Sequence, residues 1–179
     1  LRWYERAYGL RSVSLRYFNA AGADPSGSTG EDHRPETHLI PMAFQVALGR
    51  RDELTVFGTD YPTADGTAIR DYVHVWDLAQ AHIAAMKYLQ HGGATRSFNL
   101  GNARGYSVME IVKSVERVAG RPIRVRMAPR REGDPAILVA SARRAETLLG
   151  WRPRFDLEAI LETAWQWHAA HPEGYRSDL

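Results

Sequence analysis

DGTAIRDYVHVWDLAQAH (residues 65–82) sets Arg70 and Asp71 directly before an apolar, β-branched run and follows that run with a helix that Asp77 opens. A polar loop, a short strand and a capped helix in this order are the parts of an α/β fold. A guanidinium at such a junction faces something negative. From the residues alone two readings stand: a bound anion, or an ion pair with Asp71 or Asp77.

The same alternation extends outward in both directions. Upstream, LRWYERAYGL puts Leu1, Tyr4 and Tyr8 at helical spacing and stops at Gly9, a good helix-ending residue. No methionine and no cap precede it, so a truncated chain is expected. SVSLRYF reads as a strand, and THLIPMAFQVALGRR as a helix with Leu39, Ile40, Phe44, Ala47 and Leu48 on one side and Pro41 near its start. Downstream, RSFNLGN reads as a strand. Ser107 with Glu110 forms a capping box before the stripe Val108, Ile111, Val112 and Val115, which Gly120 ends. IRVRM and ILVAS read as short strands, Ser141 as the cap of a helix ending at Gly150, and Asp156 as the cap of a last helix with a core stripe from Leu157 to Trp165. Residues 19–36 are too long for an ordinary connection and are expected to form a functional or mobile loop.

Composition excludes several classes. The 179 residues hold 23 Lys plus Arg against 21 Asp plus Glu, so no basic face is demanded and nucleic acid is not implied as a partner. There is no cysteine, hence no disulfide framework and no thiolate metal site. No signal peptide or membrane span is evident, and the chain reads as soluble. GADPSGST (22–29) has the glycines of a phosphate loop but Ser28 where its lysine belongs, so it reads as a turn. His168 and His171 lack a third metal ligand and read as surface residues. The pairs Arg130–Arg131 and Arg143–Arg144 fit a solvated face or a specific small anion. No G-x-G-x-x-G occurs.

LRYFNAAGADPSG, HLIP, LTVFGTDYPTADGTAIRDYVHVWDLAQAH, FNLGN, PRREGDPA and LGWRP stand in the order found in the UDP-glucose 4-epimerases of the extended short-chain dehydrogenase/reductase family, which the chain resembles over nearly its whole length. The resemblance implies an α/β chain made of the C-terminal substrate-binding lobe plus the last strand and helix elements of a Rossmann NAD-binding domain. About 1–20 and 68–91 would lie on the Rossmann side, and about 21–67 and 92–179 in the substrate lobe. It further implies NAD as cofactor, UDP-galactose and UDP-glucose as substrates, a cytoplasmic homodimer as the full-length enzyme, and no nucleic acid or membrane partner.

The family's catalytic Tyr-x-x-x-Lys is not in this sequence. Its two lysines, Lys87 and Lys113, follow Ile83 and Met109 at the required spacing. The resemblance therefore implies a chain without the proton-transferring tyrosine and inactive by itself, with no catalytic residue and no metal.

It also carries the substrate positions over. Arg70 and Arg131 would clamp the diphosphate, because planar guanidinium groups donate forked bonds and stay charged. Thr55, Val56 and Phe57 would meet uracil, Asp134 the ribose hydroxyls, and Asn19, His38 and Leu39 the sugar nucleotide. Asn99 and Val108 would complete the wall, and Leu138 would stand beside the hexose. Tyr17 and Phe18 would line the nicotinamide end. Two other classes remain as alternatives: a related sugar-nucleotide dehydratase or decarboxylase, and a non-catalytic uridine-nucleotide-binding module.

Overall fold

The computed structural model describes residues 1–175. The last four residues of the expected substrate lobe thus lie outside the described ones. Two cores organise the chain. In the first, α2 (Leu39–Ala47), α4 (Val108–Ala119) and α6 (Leu157–Ala170) pack against one another and against β3 (Leu54–Phe57), with Phe44, Leu54, Ile111, Val115, Ile160 and Leu161 fully buried. β3 pairs in parallel with β8 (Val125–Ala128), in the register Leu54 to Val125. Alternation along β3 buries Leu54 and Val56 and leaves Thr55 and Phe57 half-exposed.

In the second core, β1 (Val13–Arg16) pairs in parallel with β6 (Arg96–Asn99), and α3 (Val75–Gln90) and α5 (Arg143–Leu149) pack on them around Leu78, Phe98, Leu100 and Trp151. β6 and α5, expected with the substrate lobe, thus pack with the β1–α3 group. Phe98 and Ala145 have their apolar neighbours there, and the strand ladder fixes β6 beside β1.

Short strands join the two cores. β2 (Asn19–Ala21) pairs with β5 (Tyr72–His74), and β4 (Ile69–Arg70) lies between β7 (Tyr106–Ser107) and β9 (Ile137–Leu138). The first three residues of the expected long loop are therefore strand. α1 (Arg2–Tyr8) ends at Gly9 in the left-handed conformation, as expected, and buries none of its residues. Trp3 and Tyr8 are 75% and 78% exposed.

The Ser107–Glu110 capping box and the Asp156 cap form as the sequence predicts. Two caps differ. α5 starts after Ala142 with no side-chain cap, so Ser141 stands one residue too early. α3 is capped by His74, whose Nδ1 accepts from the Trp76 N–H, three residues before the expected cap Asp77. Asp77 lies buried in the first turn and spends its carboxylate on the N–H groups of Arg154 and Phe155, at 2.9 and 3.1 Å.

His74 ties three segments together. Because Nδ1 accepts, Nε2 carries the proton, and it donates to Thr163 Oγ1 on α6 at 3.0 Å. The same hydroxyl accepts from Ala23 N–H and donates to Ala159 C=O. The ring is fully buried and stacks on Phe155 at 4.1 Å. Burial lowers its pKa below the ordinary 6.5, against a weaker opposing pull from Asp77. The unfolded chain therefore binds a proton that the folded chain refuses, so this contribution is complete above pH 6.5 and is lost as pH falls through the folded value. His74→Asn keeps an acceptor near the Nδ1 position but does not titrate. Urea midpoints should fall between neutral and mildly acid pH more steeply for the wild type than for this variant.

Candidate functional site: a cavity with an arginine clamp

A cavity of about 860 Å³ opens along the first core, and most of the expected site residues line it. Tyr17, Phe18 and Asn19 enter from the β1–β2 junction, and His38 and Leu39 from the start of α2. Thr55, Val56 and Phe57 come from β3, Arg70 from β4, and Val108 from the start of α4. Arg131 and Asp134 come from the β8–β9 loop. Strand ends and helix starts meet at this point, which is why residues more than a hundred positions apart share one wall.

Arg70 is the most enclosed of the charged groups, with its side chain 13% exposed. One guanidinium nitrogen donates to the carbonyl of Ile69 at 2.8 Å and the other to a carboxylate oxygen of Asp134. Its carboxylate partner is thus neither Asp71 nor Asp77. The first is turned to the N–H groups of Asn102 and Ala140, the second to α6's approach. Burial pushes the Asp71 carboxyl up, against those donated hydrogen bonds and one from the Ala103 N–H.

Arg131 has no carboxylate partner among the described residues. It lies over the Phe57 ring, 4.1 Å from its centroid, while its neighbour Arg130 is taken by Asp60 at 2.6 Å and by the Tyr61 ring. The basic pair therefore divides: one arginine is structural and one faces the cavity. Asn19 donates its side-chain amide to the Asp71 carbonyl at 2.7 Å, which holds the strand before the clamp in place. Thr55 accepts from Arg126 at 2.8 Å. His38 sits between the carboxylates of Glu31 and Glu36, at 2.6 and 3.0 Å.

Two expected residues do not reach the cavity. Asn99 ends β6 beside Arg16 and lines a separate depression with Ser97, Ser141, Arg143 and Arg144. Leu138 is the register partner of Arg70 across the β4–β9 ladder, so both side chains leave the same face, but leucine stops short of the wall.

Sequence reasoning passed over Tyr72 and Glu31, which do line the cavity. Tyr72 sits within the quoted RDYVHV run. Burial drives its phenol well above the ordinary value, so it stays protonated and cannot serve as a base near neutral pH.

Residues 1–164 match the family model described as GDP-mannose 4,6 dehydratase. The UDP-glucose 4-epimerase of Halalkalibacterium halodurans is 55% identical over 177 residues, 98% of this chain and 53% of that protein. Among solved structures, the UDP-glucose 4-epimerase from Brucella ovis in complex with NAD matches at 52% identity with a TM-score of 0.89, over 92% of this chain and 51% of that one. The enzyme from Bifidobacterium longum in complex with NAD+ and UDP matches at 38% identity with a TM-score of 0.91, over 97% and 52%. The chain belongs to the family that the GDP-mannose 4,6 dehydratase model describes, an α/β family with a Rossmann-like NAD-binding fold. Within it, the chain groups with the UDP-glucose 4-epimerases, and it spans about half the length of those relatives.

Proposed function

We propose that this chain supplies the substrate-binding portion of a UDP-glucose 4-epimerase, which interconverts UDP-galactose and UDP-glucose through a transient 4-keto sugar. One observation carries the reading: Arg70 and Arg131 converge on a single cavity with Phe57 and Asp134. That set offers two charged forks for a diphosphate, an aromatic face for uracil and an acceptor for ribose hydroxyls. The epimerase names of the relatives, at up to 55% identity, favour this reading over the dehydratase named by the family model.

The chemistry explains the division of charge. A 4-keto sugar must present both faces to one hydride donor, so the protein holds the nucleotide firmly and the hexose loosely. Asp134 keeps Arg70 extended toward the cavity before ligand arrives, and the Phe57 ring keeps Arg131 flat against β3. Bound NAD would supply the hydride acceptor and donor for C4. The half-exposed rings of Tyr17 and Phe18 fit its nicotinamide end, since both line the cavity and offer apolar faces. The full-length enzyme is read as a cytoplasmic homodimer.

The purified chain with added NAD should convert no UDP-galactose, whereas a full-length protein carrying it should. Turnover by the chain alone would overturn the assignment of proton transfer to a Tyr-x-x-x-Lys outside it. A full-length protein that released a dehydrated sugar nucleotide would favour the dehydratase reading. A non-catalytic module would bind UDP and turn over neither sugar.

Leu138→Tyr sets a longer side chain on the face it shares with Arg70. In the full-length enzyme this should lower kcat/KM for a UDP-N-acetylhexosamine relative to UDP-glucose, because the ring takes room the acetamido group needs. An unchanged ratio would remove residue 138 from the sugar pocket.

A further inference from the structure

The segment that leads into α2, residues 31–38, carries a cluster of which the nucleotide reading uses only His38. His33, Glu36 and His38 each offer one ligand atom, an imidazole nitrogen or a carboxylate oxygen, and the three lie within 4.8 Å of one another. Glu31 closes the group, 2.6 Å from His38 Nδ1. Two carboxylates thus meet around two imidazoles, and neither pairs with a lysine or arginine among the described residues. The nearby cations are committed elsewhere: Arg34 to Asp32 at 3.1 Å, and Arg50 to Glu173.

We propose that His33, Glu36 and His38, with Glu31 as fourth ligand, form a binding site for a divalent ion of the zinc type. Imidazole and carboxylate donors in this ratio suit a borderline ion better than magnesium or calcium, which take all-oxygen shells. The spacing fits as well. A tetrahedral ion with bonds of roughly 2.0 to 2.2 Å sets its ligand atoms about 3.3 to 3.6 Å apart. Here Glu36 stands 3.0 Å from His38 Nδ1 and 3.7 Å from His33 Nδ1, so small side-chain rotations suffice.

The surroundings are already organised for such an ion. Glu36 is fixed by the N–H groups of Thr37 and His38, both at 2.7 Å on Oε1, the oxygen that also faces the two imidazoles. The Glu31 carbonyl accepts from the Trp167 indole at 3.0 Å, which anchors the segment to α6. The ion would order one wall of the main cavity, since Glu31, Thr37 and His38 line it. That consequence rests on the proposed nucleotide site; ion binding itself does not.

The test is calorimetric titration of the metal-free full-length protein with Zn²⁺, without nucleotide. Saturable binding of one ion per chain is expected. His33→Ala and Glu36→Gln should each weaken it at least about tenfold. Glu36→Gln retains an amide oxygen for the Thr37 and His38 N–H groups, so its fold, checked by circular dichroism, should persist. UDP affinity of the ion-free variants, measured separately, reports on the nucleotide reading alone. No saturable zinc binding, or binding that both variants leave unchanged, would overturn the site.

Discussion

Arg70→Ala in the full-length enzyme is expected to weaken UDP binding by roughly ten- to 140-fold, the equivalent of a charge-assisted hydrogen bond worth about 1.5 to 3 kcal/mol. The loss should be large because the guanidinium is 13% exposed and cannot be replaced by solvent without rearrangement. It should also be selective. Tyr17 and Phe18, the residues proposed for the nicotinamide end, share no hydrogen bond or ion pair with Arg70 or Asp134 among the described residues, so NAD occupancy should hardly change. Removing Arg70 leaves Asp134 unpaired at the cavity wall, and Asp134 is itself 31% exposed, so water relieves most of that penalty. Calorimetry with UDP and fluorescence of bound cofactor separate the two effects. Unchanged UDP affinity would make the Arg70–Asp134 pair a purely structural link.

Trp167→Ala should be the most damaging single change to the fold, costing about 3 to 5 kcal/mol. The indole is 2% exposed and stacks on His171 at 3.9 Å. Gly30 packs so closely on it that a Cβ there would stand 2.1 Å from the ring. Its N–H also holds the Glu31 carbonyl. Truncation therefore opens a cavity under α6 and releases the segment that carries His38 into the main cavity. Denaturant unfolding should report the stability loss, and UDP affinity should fall with it even though Trp167 does not line the site. A loss below about 1 kcal/mol would mean that the 30–38 segment is held by something other than α6.

These two positions mark what could be read from the residues and what could not. Local rules carried far: the Ser107–Glu110 box, the Asp156 cap and the glycine helix ends at Gly9, Gly120 and Gly150 all depend on residues within one helical turn. His74 defeated the same reasoning because histidine is a rare cap, and Asp77 was the more usual choice three residues on. Twelve of the fourteen substrate and cofactor positions that the resemblance implies line one cavity, and Asn99 and Leu138 do not. Spacing alone could not pair Arg70 with Asp134, 64 residues away. Nor could it reveal that β6 and α5 close the core around Phe98 and Trp151, or that Asn99 faces a different depression. The Glu31–His38 cluster was visible as letters, but only the turn of the chain before α2 brings its ligand atoms together.

The most direct measurement is a crystal structure of the full-length protein with UDP. The diphosphate should lie between the guanidinium groups of Arg70 and Arg131, with uracil against Phe57 on β3 and the ribose at Asp134. A diphosphate bound elsewhere, with Arg70 still held only by Asp134 and Ile69, would contradict the assignment of this cavity as the nucleotide site.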